Sequence, residues 1–375
     1  MKNVRIGVIG FGSMGTKHAA NIQGEHIKGA TLTAILVKRV EQAKTFEENS
    51  GEKIKVFTDE DAFFNSGSVD AVIIATPHYF HSGLAIKAFE HGLHVLCEKP
   101  AGVYTKQVRE MNEASKKSEK IFSMMFNQRT NPLYQKVKDL IQSGDLGEIR
   151  RINWIITNSY RSQSYYDSAS WRATWAGEGG GVLINQCSHQ LDLWQWVTGM
   201  MPSRLRAFCH FGKYRNIEVE DDVTAYLEYE NGATGVFIST TGEAPGTNRL
   251  EISGDQGKIV VENGGLTFWR LRISEPEFNL EFKGGFGEPE YWKIDVPIGG
   301  TTTGHPGIIQ NFVDAITMES ALLAPGEEGI QSLALSNAMQ LSTWLDNWVE
   351  FPIDENLYYE KLQEKIVDLQ DNNYI

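Results

Sequence analysis

The sequence predicts an α/β chain in two parts: a parallel, doubly wound α/β domain, then an α+β domain built on a large, open, mostly antiparallel sheet. Three observations lead there. Short apolar runs alternate with helical stretches as far as residue 126, which is the order of successive βαβ units. From residue 151 onward, strand-like segments follow one another without helices between them, which implies antiparallel pairing. A chain of 375 residues also exceeds the length at which one hydrophobic core usually keeps growing.

Val4 to Ile9 is an apolar run and reads as the first strand. Gly10, Gly12 and Gly15 follow in G-x-G-x-x-G spacing, and a helical stretch begins there. Strand, tight turn and helix amino terminus form the context that a dinucleotide fingerprint requires and that the glycines of an ordinary turn lack. Gly10 permits the turn, Gly12 lets the backbone approach a pyrophosphate, and Gly15 lets the helix lie close on the strand. The first domain is therefore expected to be a Rossmann domain, with Phe11, Ser13 and Met14 at the cofactor together with the glycines. Thr31 to Val37 reads as the second strand, a short third lies near Lys55 to Phe57, and Ala71 to Ala75, His94 to Cys97 and Ile121 to Phe126 complete the set. Helical segments such as Ser82 to Glu90 separate them. Parallel strands covered on both faces read as continuous apolar runs, as AVIIA does. NQRTNP then interrupts the pattern, so the domains are drawn as 1–126 and 127–375.

The second domain opens with a helix from Leu133 to Ile141. Strands are expected at Arg151 to Thr157, Arg204 to Phe211, Val223 to Tyr229, Ala233 to Ser239, Arg249 to Gly254 and Lys258 to Val261. One face of such a sheet must be covered by helices, a ligand or another subunit. Helical patterns return at Ile308 to Met318 and Gly329 to Trp348, and Leu357 to Leu369 reads as a closing helix.

The net charge of −13 argues against nucleic-acid and anionic-membrane partners, which need clustered Lys and Arg. No apolar run approaches a membrane span, and the first core strand begins almost at Met1, leaving no room for a signal peptide. Cys97, Cys187 and Cys209 form no C-x-x-C pair, so free thiols and a cytoplasmic location are expected.

Two stretches carry chemistry. In ATPHYFHSGLAIKAFEHGLHVLCEKP, Thr76 and Pro77 lie just past the fourth strand, and Glu98, Lys99 and Pro100 just past the fifth. Ligands of open α/β sheets bind at those strand ends, although a lysine there can also be solvated or paired with Glu98. In GEGGGVLINQCSHQLDLW, Asn185, His189 and Asp192 follow a run of glycines. His189 supplies what a nucleotide site lacks, a group that titrates near neutrality; a lone histidine in such a segment is more often structural. Asp192, one helical turn on, can fix the imidazole or pair elsewhere. Cys187, His189 and Asp192 lack the paired spacing of zinc sites, so no metal is expected.

Taken together, IGVIGFGSMG, ATPxxxH…GLHVLCEKP and GGGxxxNxxxHxxD resemble the glucose-fructose oxidoreductase / inositol 2-dehydrogenase / rhizopine catabolism (Gfo/Idh/MocA) family. The similarity runs over nearly the whole chain, including NRLEISGDQGKIVVENG. It implies a nicotinamide cofactor, a sugar, cyclitol or related polyol as substrate, and a second domain whose sheet joins subunits as a homodimer or homotetramer. It implies that Lys99 hydrogen-bonds the reacting hydroxyl and that His189 is the acid/base. It also places Thr76, Pro77, His81, Glu98, Lys99, Asn127 and the pair Trp171 and Arg172 at the cofactor. Asn185 departs from the pattern, because many members carry aspartate there; Asn185→Asp is accordingly expected to be tolerated better than Asn185→Leu. Cys187 stands where glycine is common and reads as packing. The run around His189, with W-R-A-T-W-A-G-E ahead of it, is most similar to a subgroup acting on pyranose rings and glycosides, some of them at the 3-hydroxyl.

Chemistry leads to the same residues. When a hydride leaves a secondary carbinol for nicotinamide, the hydroxyl must lose its proton, so a base is needed within hydrogen-bond reach. His189 has a suitable intrinsic pKa and Lys99 would stabilise alkoxide charge. Asn185, an amide, takes no proton and would orient substrate or Lys99. Lys38 and Arg39 stand where an acid would bind the ribose of NAD, with no acid until Glu41. They favour NADP over NAD, although such a pair is also common at a solvated strand end. Tyr160, Tyr165, Tyr166, Trp171 and Trp175 precede the glycines, and sugar faces stack on such rings. The substrate-binding set is Lys99, Tyr160, Tyr166, Asn185, His189 and Asp192, with any single ring more often core. Two other readings remain: a non-catalytic dinucleotide-binding regulator, opposed by intact Lys99 and His189, and an enzyme cleaving glycosides through transient oxidation by bound NAD, opposed by the sequence around His189.

Overall fold

The computed structural model describes residues 3–24, 26–41, 43, 44, 46 and 54–372, with side chains as far as 367. The chain divides into two compact units, 1–130 with 302–333 and 131–301 with 334–375.

The first unit is built on β1 (Val4–Ile9), β2 (Ala30–Leu36), β3 (Lys55–Phe57), β4 (Ala71–Ile74), β5 (His94–Cys97) and β6 (Phe122–Met124). Among the described residues they form one sheet in the order β3-β2-β1-β4-β5-β6, with every pairing parallel. Ile6, Val8, Ile73 and Leu96 are fully buried, as expected of strands covered on both faces. Helices α1 (Ser13–Gln23), α2 (Glu60–Phe64), α3 (His81–Glu90) and α4 (Thr105–Ser118) connect them. The strand order reverses between β1 and β4, the switch point at which such sheets bind ligands.

The second unit begins with α5 (Pro132–Gln142), whose amino end is capped by Asn131 accepting from Leu133 N. Its strands are β7 (Ile149–Ile156), β8 (Arg204–Phe211), β9 (Glu220–Glu228), β10 (Thr234–Thr240), β11 (Asn248–Gly254), β12 (Gly257–Glu262), β13 (Gly265–Leu271), β14 (Tyr291–Asp295) and β15 (Val349–Glu350). They form one sheet, ordered β14-β13-β12-β11-β7-β10-β9-β8-β15. Its pairings are antiparallel except for β7 with β10. Side chains alternate: Val223, Ala225 and Leu227 are buried, while Tyr226 is exposed. The buried face is covered in part by α7 (Ser188–Thr198), where Trp194 meets Phe237 at 5.9 Å and donates to Tyr229 Oη at 2.6 Å. A Cβ on Gly235 would lie 2.8 Å from the Trp194 ring, so glycine there makes room for the indole. Between β7 and α7 lies the short α6 (Gln163–Tyr166), and between β13 and β14 lies α8 (Glu275–Glu281).

The cut drawn at 126 assigned 302–333 to the second domain, whereas this segment belongs with the first. Helix α9 (Gly304–Met318) buries Ile308, Ile309 and Phe312. Beyond it, Ala324 O accepts from Met124 N at 2.9 Å and from Ser123 Oγ at 2.9 Å, closing the β6 edge, and the buried Arg129 pairs with Glu328. An amphipathic helix in a sequence does not say which sheet it covers. The second boundary falls inside α10 (Gly329–Leu345), and α11 (Glu355–Asn372) ends the described chain. Cys97, Cys187 and Cys209 are buried and in no disulfide among the described residues. Among the described residues no helix is long and apolar enough to cross a membrane.

Candidate active site

In the first unit the three fingerprint glycines differ in a way that fits a dinucleotide. Gly10 has φ +88°, and a Cβ there would lie 2.7 Å from Ala75 O. A Cβ on Gly15 would lie 1.9 Å from Gly10 O, so the helix can approach the strand only with glycine there. At Gly12 a Cβ would meet nothing within 4 Å. Gly12 caps α1 without a side-chain hydrogen bond and with no acid in the first turn. An uncapped helix amino terminus beside open space suits a pyrophosphate. Ser13 is exposed and Met14 half-buried, whereas the Phe11 ring is buried and packs edge-on to Phe46 at 5.2 Å; at Phe11 only the backbone is open to a ligand. Lys38 and Arg39 are exposed past β2, and Lys38 Nζ lies 5.7 Å from the centroid of the exposed Phe80 ring.

The ends of β4 and β5 are tied together. The fully buried His81 ring has Nδ1 2.7 Å from Pro100 O and Nε2 2.7 Å from Thr76 O, and burial lowers its pKa. Both ring nitrogens face backbone carbonyls; the neutral ring has one N–H and donates to one of them, and His81 positions the segments carrying Thr76, Pro77 and Lys99. The Glu98 carboxylate is buried, 2.7 Å from His18 Nε2, and accepts from Lys99 N at 3.1 Å. Burial pushes this carboxyl up, but the His18 bond and the charges of His18 and Lys99 prevail and hold it below its usual value. His305 lies 5.5 Å ring to ring from His18 and 3.4 Å from Asn127 Nδ2; burial lowers its pKa to about 4.

In the second unit the glycines lead into a wide turn, Val182–Gln186, with Cys187 N bonded to Val182 O at 2.8 Å, a form common at functional positions. A Cβ on Gly181 would lie 2.0 Å from Glu220 O. The buried Glu220 Oε1 accepts from Gly181 N at 2.8 Å and Leu183 N at 3.2 Å, while Oε2 accepts from Gln340 at 3.1 Å. Burial raises the Glu220 carboxyl to about 7. Asn185 sits in this turn and donates through Nδ2 to Glu178 Oε1 and, at 3.4 Å, to Tyr165 Oη. Glu178 is buried and also accepts from Ala173 N at 2.6 Å. Arg172 donates to Tyr165 Oη at 2.9 Å, with its guanidinium 4.6 Å from the Tyr165 ring and 4.7 Å from that of Trp171.

His189 follows in the first turn of α7, half-buried. Asp192 is buried and accepts from Gln195 at 3.2 Å. The structure therefore gathers Asn185, Tyr165, Arg172 and Trp171. It turns Tyr166 inward, bonded to Thr241 Oγ1 at 3.0 Å, and packs Trp175 against Trp344 and Phe211. Tyr160 is 49% exposed. Sequence reasoning missed His18, Glu98's role as its partner, Glu178 and Glu220. The one available signal was an acid set against glycines, as Glu178 is.

Residues 4–126 match the model of the oxidoreductase family, NAD-binding Rossmann fold, and residues 134–260 match the GFO/IDH/MocA C-terminal domain. The chain is 28% identical over 267 residues to myo-inositol 2-dehydrogenase of Thermotoga maritima, covering 69% of this chain and 75% of that one. It is 25% identical over 392 residues to levoglucosan dehydrogenase of Pseudarthrobacter phenanthrenivorans, covering 94% and 99%. The crystal structure of the WlbA dehydrogenase from Bordetella pertussis, in complex with NADH and UDP-GlcNAcA, is similar with a TM-score of 0.78 and 27% identity, over 94% of this chain and 100% of that one. With both its sheets, its glycine fingerprint and these matches in agreement, the chain belongs to the Gfo/Idh/MocA family of NAD-binding oxidoreductases.

Proposed function

We propose that this enzyme transfers a hydride between a nicotinamide cofactor and a secondary hydroxyl of a sugar, glycoside or cyclitol, with the 3-hydroxyl of a pyranose a candidate position. The observation that carries the reading is the glycine-led turn that holds Asn185 by its amide and is followed by His189 in the first turn of α7. The cofactor, when bound, accepts or returns the hydride. His189 takes the hydroxyl proton and returns it in the reverse direction. The Lys99 ammonium stabilises the developing alkoxide, and Glu98 keeps its backbone in place. Asn185 orients the hydroxyl through hydrogen bonding. The names of the relatives, myo-inositol 2-dehydrogenase and levoglucosan dehydrogenase, support a polyol substrate.

Exposed Lys38 and Arg39 support NADP as the preferred form, and the NADH complex of the WlbA neighbour supports NAD. For self-association we propose the outward face of the nine-stranded sheet, where Phe208 and Tyr226 are exposed, as the contact in a homodimer or homotetramer. A panel of hexoses, glycosides and inositols assayed with both cofactors tests the activity. Turnover of at least one polyol is expected; dinucleotide binding without turnover of any would favour a regulator.

A further inference from the structure

The chain carries a net charge of −13, and its arginines are commonly neutralised. Arg5, Arg150, Arg204, Arg249 and Arg272 each hold a carboxylate oxygen at 2.6 to 2.8 Å. Arg151 on β7, Arg161, Arg172 and Arg215 differ: among the described residues none of the four has a carboxylate oxygen within 4.0 Å. Arg161, Arg172 and Arg215 belong to one cluster in the second unit. Arg161 and Arg172 lie 5.1 and 4.6 Å from the centroid of the Tyr165 ring, and Arg215 lies 5.0 Å from that of Tyr160.

The cluster is built rather than loose. Arg215 Nε donates to Arg161 O at 2.7 Å. Gln163 exchanges hydrogen bonds with the Asn216 backbone in both directions, at 2.9 and 3.2 Å. Of the acids nearby, Asp221 accepts from Lys213 N and Tyr214 N, Glu178 from Ala173 N and the Asn185 amide, and Asp167 from Gln163 Nε2 at 3.0 Å. Arg172 Nε is buried with no hydrogen-bond partner. Gathering like charges without counter-ions is unfavourable, and a buried donor left unmade costs more. Through Tyr165 Oη, Arg172 is joined to Asn185.

We infer that this cluster recognises an anionic group on the substrate, a carboxylate or phosphate carried by the sugar; the inference rests on the sugar oxidoreductase reading. Guanidinium forks match either oxyanion through paired hydrogen bonds, and the tyrosine rings behind them hold them in position.

Calorimetric titration of the full chain at saturating NADH with glucose, glucuronate and glucose 6-phosphate tests it without needing turnover. At least one anionic sugar should bind about tenfold or more tighter than glucose, by an advantage that shrinks with salt; glucuronate alone points to a carboxylate, glucose 6-phosphate alone to a phosphate. The preference should collapse in R161Q/R215Q and survive in part in R161K/R215K, which keeps the charge should the glutamine variant fail to fold. A wild type that binds glucose as tightly as both anions, or binds neither anion, overturns the inference. So does R161Q/R215Q with an unchanged preference, including the case where only NADH affinity falls and the guanidiniums serve the cofactor. An anion preference without oxidation of any polyol would instead overturn the oxidoreductase reading and leave the anion site standing.

Discussion

The amide nitrogen of Asn185 donates to the carboxylate of Glu178, which is only 2% exposed. A carboxylate accepts and does not donate, so this bond fixes which way the amide points and presents its carbonyl oxygen elsewhere. Aspartate at 185, which the family accommodates, would set two carboxylates against each other in a buried place, and one of them would have to take a proton. N185D should therefore lose about tenfold or more in kcat/KM at neutral pH, one pKa unit being about 1.4 kcal/mol. It should recover on acidification or in N185D/E178Q. The family pattern ranks aspartate above leucine at this position; Glu178 adds a cost to aspartate that the pattern does not carry. A wild-type pH profile in N185D would show that Glu178 does not set the amide.

Glu220 holds the same turn from behind. Its carboxyl is raised from 4.5 to about 7 by burial. Between these values the unfolded chain releases the proton while the folded chain keeps it, so stability falls as pH rises from about 4.5 and levels off above 7. The loss amounts to roughly 3 kcal/mol over that window. E220Q does not titrate, so the difference between its urea-unfolding free energy and that of the wild type should change with pH across this range. A constant difference would mean that Glu220 is ionised throughout.

How much was legible beforehand follows from what a sequence pattern can encode. The parallel strands were readable because both faces are buried, making runs such as Ala71–Ile74 wholly apolar. β14 was not, because none of its residues is buried and no alternation marks it. Asn185, His189 and Lys99 lie in short motifs whose chemistry is local. Their supports are remote: His18 reaches Glu98 across 80 residues and Glu220 reaches Gly181 across 39. Nothing in the spacing of those residues says that they meet. His81 shows the reverse case, since its motif is plain but both its ring nitrogens face backbone carbonyls.

Lys99 and His189 are proposed to act on the reacting oxygen. Lys99→Ala and His189→Ala should each lower kcat by about 10² or more, the range of general acid–base catalysis, while leaving NADH affinity largely intact. A wild-type kcat in either variant removes that residue from the mechanism. For His189→Ala the acid limb of the pH–rate profile should also disappear.

The cofactor prediction separates two positions. Gly12 has φ −79° and open space where a Cβ would go, so Gly12→Ala should fold with a wild-type melting temperature yet bind dinucleotide more weakly, the methyl occupying the pyrophosphate approach. Lys38 and Arg39 concern only which dinucleotide is bound. A 2′-phosphate held by charge-assisted hydrogen bonds gains roughly 1.5–3 kcal/mol, so K38A/R39A should weaken NADP by about 10- to 100-fold and NAD far less. Fluorescence titration of both variants with NADPH and NADH measures this directly. If Gly12→Ala lowers both affinities while K38A/R39A changes neither, the dinucleotide site stands and the two basic residues are a solvated strand end, leaving NAD as the cofactor that the acid-free end of β2 accepts.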